Sequence, residues 1–290
     1  MKNQICKILA WSYFTLILYG CKPSIDTPLF YQVAGSSKSK IVFLHGLLGS
    51  HVYWDQVVPI LSINHQLILL DLLGFGDSPK PNANYTVNEH LEKISEVINS
   101  TLPTEKYFTL VGHSMGAILA LNYATLHPNQ VQKLILINAP MVTDEQDLKK
   151  TIAESSSKLM ATMTFDQTWG KLVCKIHEVL PLLSYPFIRI LEPDLPPAVA
   201  KAAGQHTWDS YSGSFEHVLL EQDFFKLISK VHFIPILIIA SSDDEYTKVA
   251  TLKRLPESKN IQVVLLKGDH NVLLHQPEQI ANEIQRFVKN

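Results

Sequence analysis

Ser114 stands in Gly112-His113-Ser114-Met115-Gly116, a G-x-S-x-G arrangement directly after the apolar run Phe108 to Val111 and directly before the Ala-rich segment Ala117 to Leu126. A strand that turns tightly into a helix lifts a serine hydroxyl out of the sheet, and small residues on either side leave room where backbones approach. A hydroxyl is a poor nucleophile until a base takes its proton, so a histidine oriented by a carboxylate is required. With such an elbow the acid and then the histidine follow in chain order. The apolar run Ile236 to Ile239 leads into three adjacent acids, Asp243, Asp244 and Glu245, at the strand end where sites in open α/β sheets gather. Position alone leaves the choice among the three open. The last apolar run, Val263 to Leu266, leads into Gly268-Asp269-His270-Asn271. Among twelve histidines, His270 fits both the order and the placement, whereas His113, His127 and His275 do not stand at that strand end.

An acyl transition state also needs fixed donors for its oxyanion. The amide after the nucleophile, that of Met115, is one candidate, and that of Leu47, in the loop His45-Gly46-Leu47-Leu48-Gly49 after the run Ile41 to Leu44, is the other. No cofactor is expected: Gly74-Phe75-Gly76 lacks the third glycine of a dinucleotide fingerprint, and Gly46-Leu47-Leu48-Gly49 lacks the Gly-Lys-Ser/Thr of a phosphate loop. The three cysteines, Cys6, Cys21 and Cys174, form no CxxC or metal-ligand spacing, so no metal is expected either.

These residues must be held by a sheet. From Lys40 onward, apolar runs of strand length (also Leu67 to Leu70 and Leu134 to Ile137) alternate with segments of helical period, including Val87 to Leu102 and a last helix opened by Pro277. Continuous apolar strands between helices indicate the α/β class, a mostly parallel sheet covered on both faces. The alternation fails over residues 141–230, which are helical in flavour and interrupted by Pro181, Pro186, Pro193, Pro196 and Pro197. This stretch reads as an inserted helical lid. Its Met160, Met163, Phe165, Trp169, Leu182, Leu183, Tyr185, Phe187, Trp208, Tyr211 and Phe215 exceed what a connection needs, and as a group predict the roof of an apolar pocket.

Taken together, residues 28 to 140 and 232 to 290 resemble the α/β-hydrolase superfamily in ordered segments. The loop at His45 is similar to its H-G-x-x-G, Asp71 to Ser78 to its D-x-x-G-x-G-x-S turn, and Ser241 to Asp244 to its strand-G-x-x-D, with Ser241 in place of glycine. That last match implies Asp244 as the acid. The ending G-H-x-x-x-x-E-x-P is matched loosely, with Asp269 inserted before His270 and His275 where an acid is frequent. Residues 21–140 and 231–290 are thus expected to form the core that resembles these hydrolases, and 141–230, which resembles nothing diagnostic, the lid. The resemblance also implies a serine hydrolase with the triad Ser114, Asp244 and His270, acting on a small-molecule carboxylic ester with a small to medium apolar group. Ser114 argues against the aspartate-nucleophile dehalogenases and epoxide hydrolases. Rival expectations are a carbon–carbon bond hydrolase, a pimeloyl-acyl-carrier-protein methyl ester carboxylesterase of biotin synthesis, and a non-catalytic ligand-binding protein on the same fold.

At 290 residues and 46% apolar content the chain is long enough for one large core, and a net charge of −2 without a basic block points to no nucleic-acid partner. Lys2 and Lys7 precede an apolar run ending at Gly20-Cys21, the order of a secretory signal over residues 1–20. The run is shorter than the roughly 20 residues of a membrane-spanning helix. Leu18-Tyr19-Gly20-Cys21 resembles the lipobox of bacterial lipoproteins, which implies lipidation of Cys21 and export with membrane attachment through the N-terminus. The alternative is a cytoplasmic enzyme, and only then does acyl carrier protein become an accessible partner.

Overall fold

The computed structural model describes residues 23–104, 107–155 and 158–289. Cys6, Cys21 and the apolar N-terminal run lie outside the described residues. Seven strands form one sheet: β1 Tyr31–Ala34, β2 Lys40–Leu44, β3 Gln66–Leu70, β4 Phe108–His113, β5 Val131–Ile137, β6 Ile236–Ser241 and β7 Ile261–Leu266. Their order is β1-β3-β2-β4-β5-β6-β7, with β1 antiparallel to β3 and every other pair parallel. The fold is thus the α/β class expected. The antiparallel edge strand β1 is the addition; it is four residues long and largely exposed, so no apolar period marks it.

The continuous apolar runs follow from burial on both faces. On one face Val42, Leu44, Leu110 and Ile238 pack under α1 (Val87–Thr101) and α2 (Met115–Leu126). On the other, Ile41, Phe43, Val111 and Ile239 meet Trp54 and the final helix, which contributes Ile280, Ile284 and Phe287. Burying each such side chain contributes about 1.5–3 kcal/mol. Helix α1 begins at a reciprocal cap in which the Thr86 hydroxyl accepts from the Glu89 N–H while the Glu89 carboxylate accepts from the Thr86 N–H.

The chain passes from β2 outward to β3 and then back across β2 to β4, so the winding reverses between β2 and β4. Crevices at the carboxyl ends of strands open at such a reversal. Leu44 pairs with Gly112 across it, which brings the Leu47 turn and Ser114 out of the sheet side by side.

Between β5 and β6 the chain forms α3 (Glu145–Glu154), α4 (Lys158–Phe165), α5 (Gln167–Val179), α6 (Pro181–Leu191), α7 (Pro197–Ala203), α8 (Trp208–Ser214), a π-helical turn (Phe215–Leu220) and α9 (Phe224–Val231). The final helix is α10, Pro277–Lys289. Helix α9 packs on α2 and joins the main core through Phe224, Leu227 and Ile228. Some of the prolines read as interruptions act otherwise, Pro197 among them, since it opens α7. Pro181 opens α6, where its missing N–H would have no helical partner, and Pro186 lies within α6, which continues through it at the loss of one backbone bond.

Candidate active site

Ser114 occupies φ 52°, ψ −120° at the junction of β4 and α2. A non-glycine residue in that region is strained, and the strain persists because the surroundings leave no alternative. A Cβ on Gly116 would lie 2.2 Å from the Leu44 carbonyl oxygen, and one on Gly112 would lie 2.3 Å from the Gly116 carbonyl oxygen. Only glycines allow β2, β4 and α2 to close on the turn. The Ser114 N–H donates to the Ile137 carbonyl at 3.0 Å, which fixes the elbow against β5.

The Ser114 Oγ lies 2.9 Å from Nε2 of His270. His270 Nδ1 lies 3.0 and 3.1 Å from the two carboxylate oxygens of Asp244. Hence Nδ1 donates to the carboxylate and the Nε2 lone pair faces the serine hydroxyl, the arrangement that lets the ring receive its proton. The Asp244 side chain is fully buried and also accepts from the Tyr246 N–H at 2.8 Å. Burial alone would raise its carboxyl, but the charge of His270, their hydrogen bond and the bonds from Tyr246 and Thr247 outweigh it and hold Asp244 below the usual carboxylate value. Of the neighbouring acids, Asp243 is exposed and Glu245 half-buried. The tyrosine ring of Tyr246 stands edge-on to His270 with centroids 4.8 Å apart.

Met115 is the first residue of α2, so its N–H has no carbonyl one turn back to bond with. The Leu47 turn is closed by Gly49 N–H donating to the Gly46 carbonyl at 3.0 Å and packs so close that a Cβ on Gly46 would lie 3.0 Å from Ser114 Cβ. His45 is spent on holding this loop: Nδ1 donates to the Gly46 carbonyl at 2.7 Å and Nε2 accepts from the Leu72 N–H at 2.9 Å. Asp71 anchors the next turn by accepting from the Asp77 N–H at 2.7 Å and pairing with His51 at 2.8 Å.

Residues not foreseen from sequence hold the histidine loop from below. Asn138, at φ 44° just past β5, is fully buried and donates from Nδ2 to the carbonyls of Asp269 and His270, each at 3.0 Å. Ser241 in turn donates to Asn138 Oδ1 at 3.0 Å, which gives a use to the serine standing in the place of a glycine. His113 Nε2 donates to the His270 carbonyl at 3.0 Å while its ring stacks on Tyr53, whose hydroxyl donates to Asn271 at 2.7 Å. The signal for Asn138 is a polar residue directly after an apolar strand, and its purpose appears only with its partners.

The site opens into a cavity of about 1060 Å³. Ser114, His270 and Leu47 share its wall with Met163, Trp169, Phe187 and Phe215 of the inserted helices. Phe165 and Tyr185 lie exposed away from it, and Trp208 and Tyr211 pack behind its wall. The side chains of Met160, Leu182 and Leu183 lie outside the described residues. Cys174, the cysteine among the described residues, is buried, and burial together with the Glu178 charge pushes its thiol up to about 12.

A family model described as alpha/beta hydrolase fold matches residues 40–277. The probable lysophospholipase BODYGUARD 1 of Arabidopsis thaliana is 41% identical over 186 residues, which cover 56% of this chain and 39% of that protein. The chain therefore spans well under half the length of that relative. The crystal structure of a bromoperoxidase from Bacillus anthracis matches with a TM-score of 0.68 at 19% identity, covering 93% of this chain and 99% of the other. That of a bacterial membrane phospholipase A matches with a TM-score of 0.67 at 22% identity, covering 98% of this chain and 92% of the other. At these identities the likeness is one of fold.

Proposed function

The chain belongs to the alpha/beta hydrolase fold family, and on that premise we propose that it is a serine hydrolase cleaving carboxylic esters of apolar acyl or alkyl groups. The observation that carries this reading is the relay from Asp244 through His270 to Ser114 Oγ at the wall of a large cavity. His270 Nε2 takes the Ser114 proton as Oγ attacks the ester carbonyl. The N–H groups of Leu47 and Met115 hold the oxyanion, and the imidazolium formed is stabilised by Asp244. The proton passes from His270 to the departing alcohol oxygen, leaving an ester on Ser114. Water, deprotonated by the same nitrogen, then releases the acid and restores the hydroxyl.

The inserted helices act in this reading as the roof of an acyl or alkyl pocket. A volume of about 1060 Å³ stands at the upper end of ordinary ligand sites, which supports esters longer than acetate. The names of similar proteins, a probable lysophospholipase and a phospholipase A, suggest a single-chain phospholipid ester as a substrate to include.

The test is turnover of p-nitrophenyl esters of increasing chain length and of lysophosphatidylcholine, with Ser114→Ala alongside, and labelling by a fluorophosphonate. Turnover and label lost together in the variant support the reading. A wild-type chain that takes no label has no activated serine, and a ligand-binding role on the same fold would replace the proposal. Export and lipidation of Cys21 rest on the N-terminal residues alone; incorporation of labelled palmitate, absent in Cys21→Ser, is their test.

A further inference from the structure

Away from the serine, the inserted helices gather a thiol and two imidazoles. Cys174 and His177 lie one turn apart on α5, and His206 stands in the connection from α7 to α8. Cys174 Sγ is 3.4 Å from His206 Nε2, and one donor atom from each of the three residues lies within 4.8 Å of the others. None is more than 9% exposed. Each ring has one nitrogen tied to a main-chain carbonyl: His206 Nδ1 donates to Ala203 at 2.9 Å, and His177 Nε2 to His206 at 2.9 Å. For His206 this places the proton on Nδ1 and turns the lone pair of Nε2 toward the sulfur. Metal-ligating histidines are held in this way, with an outer carbonyl setting tautomer and ring direction. A weak S–H···N hydrogen bond accounts for the Cys174–His206 contact, and His177, held beside it through Nε2, brings a third donor residue within 4.8 Å of both.

We infer that Cys174, His177 and His206 form a binding site for a soft divalent cation of the zinc class, joining α5 to the α7–α8 connection. The reading is independent of the serine chemistry. Sulfur and imidazole donors select Zn²⁺ over Mg²⁺ or Ca²⁺, which take oxygen. Tetrahedral bonds of about 2.3 Å to sulfur and about 2.0 Å to nitrogen set S···N near 3.5 Å, close to the 3.4 Å present. On binding, the Cys174 thiol releases its proton to solvent, the sulfur bonds the cation as thiolate, and each protein donor replaces one water of the hydrated ion. All three residues line the same cavity, so the fourth position faces it and keeps a water. Sequence spacing hid this site because His206 is brought in by the fold from 29 residues beyond His177.

The experiment is titration of the full chain with Co²⁺ after chelator treatment, in a background carrying Cys6→Ser and Cys21→Ser, followed by absorption and by melting temperature. One equivalent of Co²⁺ is expected, with tetrahedral ligand-field bands and a thiolate-to-cobalt charge-transfer band, displaced by Zn²⁺, which also raises the melting temperature. Cys174→Ala should lose the charge-transfer band, and His206→Ala or His177→Gln should weaken binding by roughly a hundredfold, with circular dichroism reporting that each is folded. If the background chain shows no thiolate-to-cobalt band, the inference is overturned whether or not the variants fold. A band that persists in folded Cys174→Ala overturns it equally.

Discussion

Asn138 grips His270 by the main chain rather than the ring: its Nδ2 lies 3.0 Å from the His270 carbonyl oxygen. The imidazole is thereby aimed from two directions, by Asp244 at Nδ1 and by Asn138 through the backbone. Asn138→Gly keeps a residue at ease with φ 44° and removes the grip. It is expected to lower kcat by about 10–100-fold with KM little changed, since a small misplacement of a base is felt in the chemical step. A KM increase at unchanged kcat would show that Asn138 shapes the pocket instead.

Asp244→Asn should leave the fold intact and lower kcat by roughly 10⁴, because an amide no longer enforces the required His270 tautomer. Asp243→Asn, at an exposed acid beside it, should alter kcat by less than about threefold. Steady-state kinetics on the pair decides which carboxylate serves the histidine; equal losses would remove Asp244 from that role.

Acid should weaken the fold through groups that work in the same direction. Burial, with the charge of His270, holds His113 down to about 3, and burial with the charge of His45 holds His90 down to about 3. Their ordinary value is 6.5, so below it the unfolded chain binds more protons than the folded one. Stability is therefore full above that pH and falls as pH drops toward 3. Asp244 adds a loss at lower pH, as protons compete through its depressed folded value. Denaturant midpoints from neutral pH to about pH 4 should fall steadily, and less steeply in folded His90→Gln; a flat profile would contradict the burial of neutral imidazoles.

Gly116→Ala should destabilise the chain by about 3 kcal/mol or reduce its folded yield, since the new methyl meets the Leu44 carbonyl at 2.2 Å and backbone there has nowhere to move. Ala117→Gly, one residue on, removes a methyl instead and should cost about 1 kcal/mol. Thermal melts of both test whether the elbow or the helix is the sensitive element.

The chain itself carried the α/β class, the elbow at Ser114, the histidine and a run of three acids. These are local facts: apolar runs of strand length, glycines adjacent to a serine, polar residues placed at strand ends. The choice of Asp244 over Asp243 and Glu245 needed its likeness to a family pattern, because three adjacent acids differ only in which one the turn buries. Tertiary structure decided the rest. Asn138 and Ser241 meet across β5 and β6 at a separation of 103 residues, and Cys174 meets His206 at a separation of 32. Such pairings leave no period or spacing in the sequence, since each depends on where separate elements pack. Apolar patterning determines that a strand or helix forms and which face it buries; which polar groups then converge is fixed only when the faces are in contact.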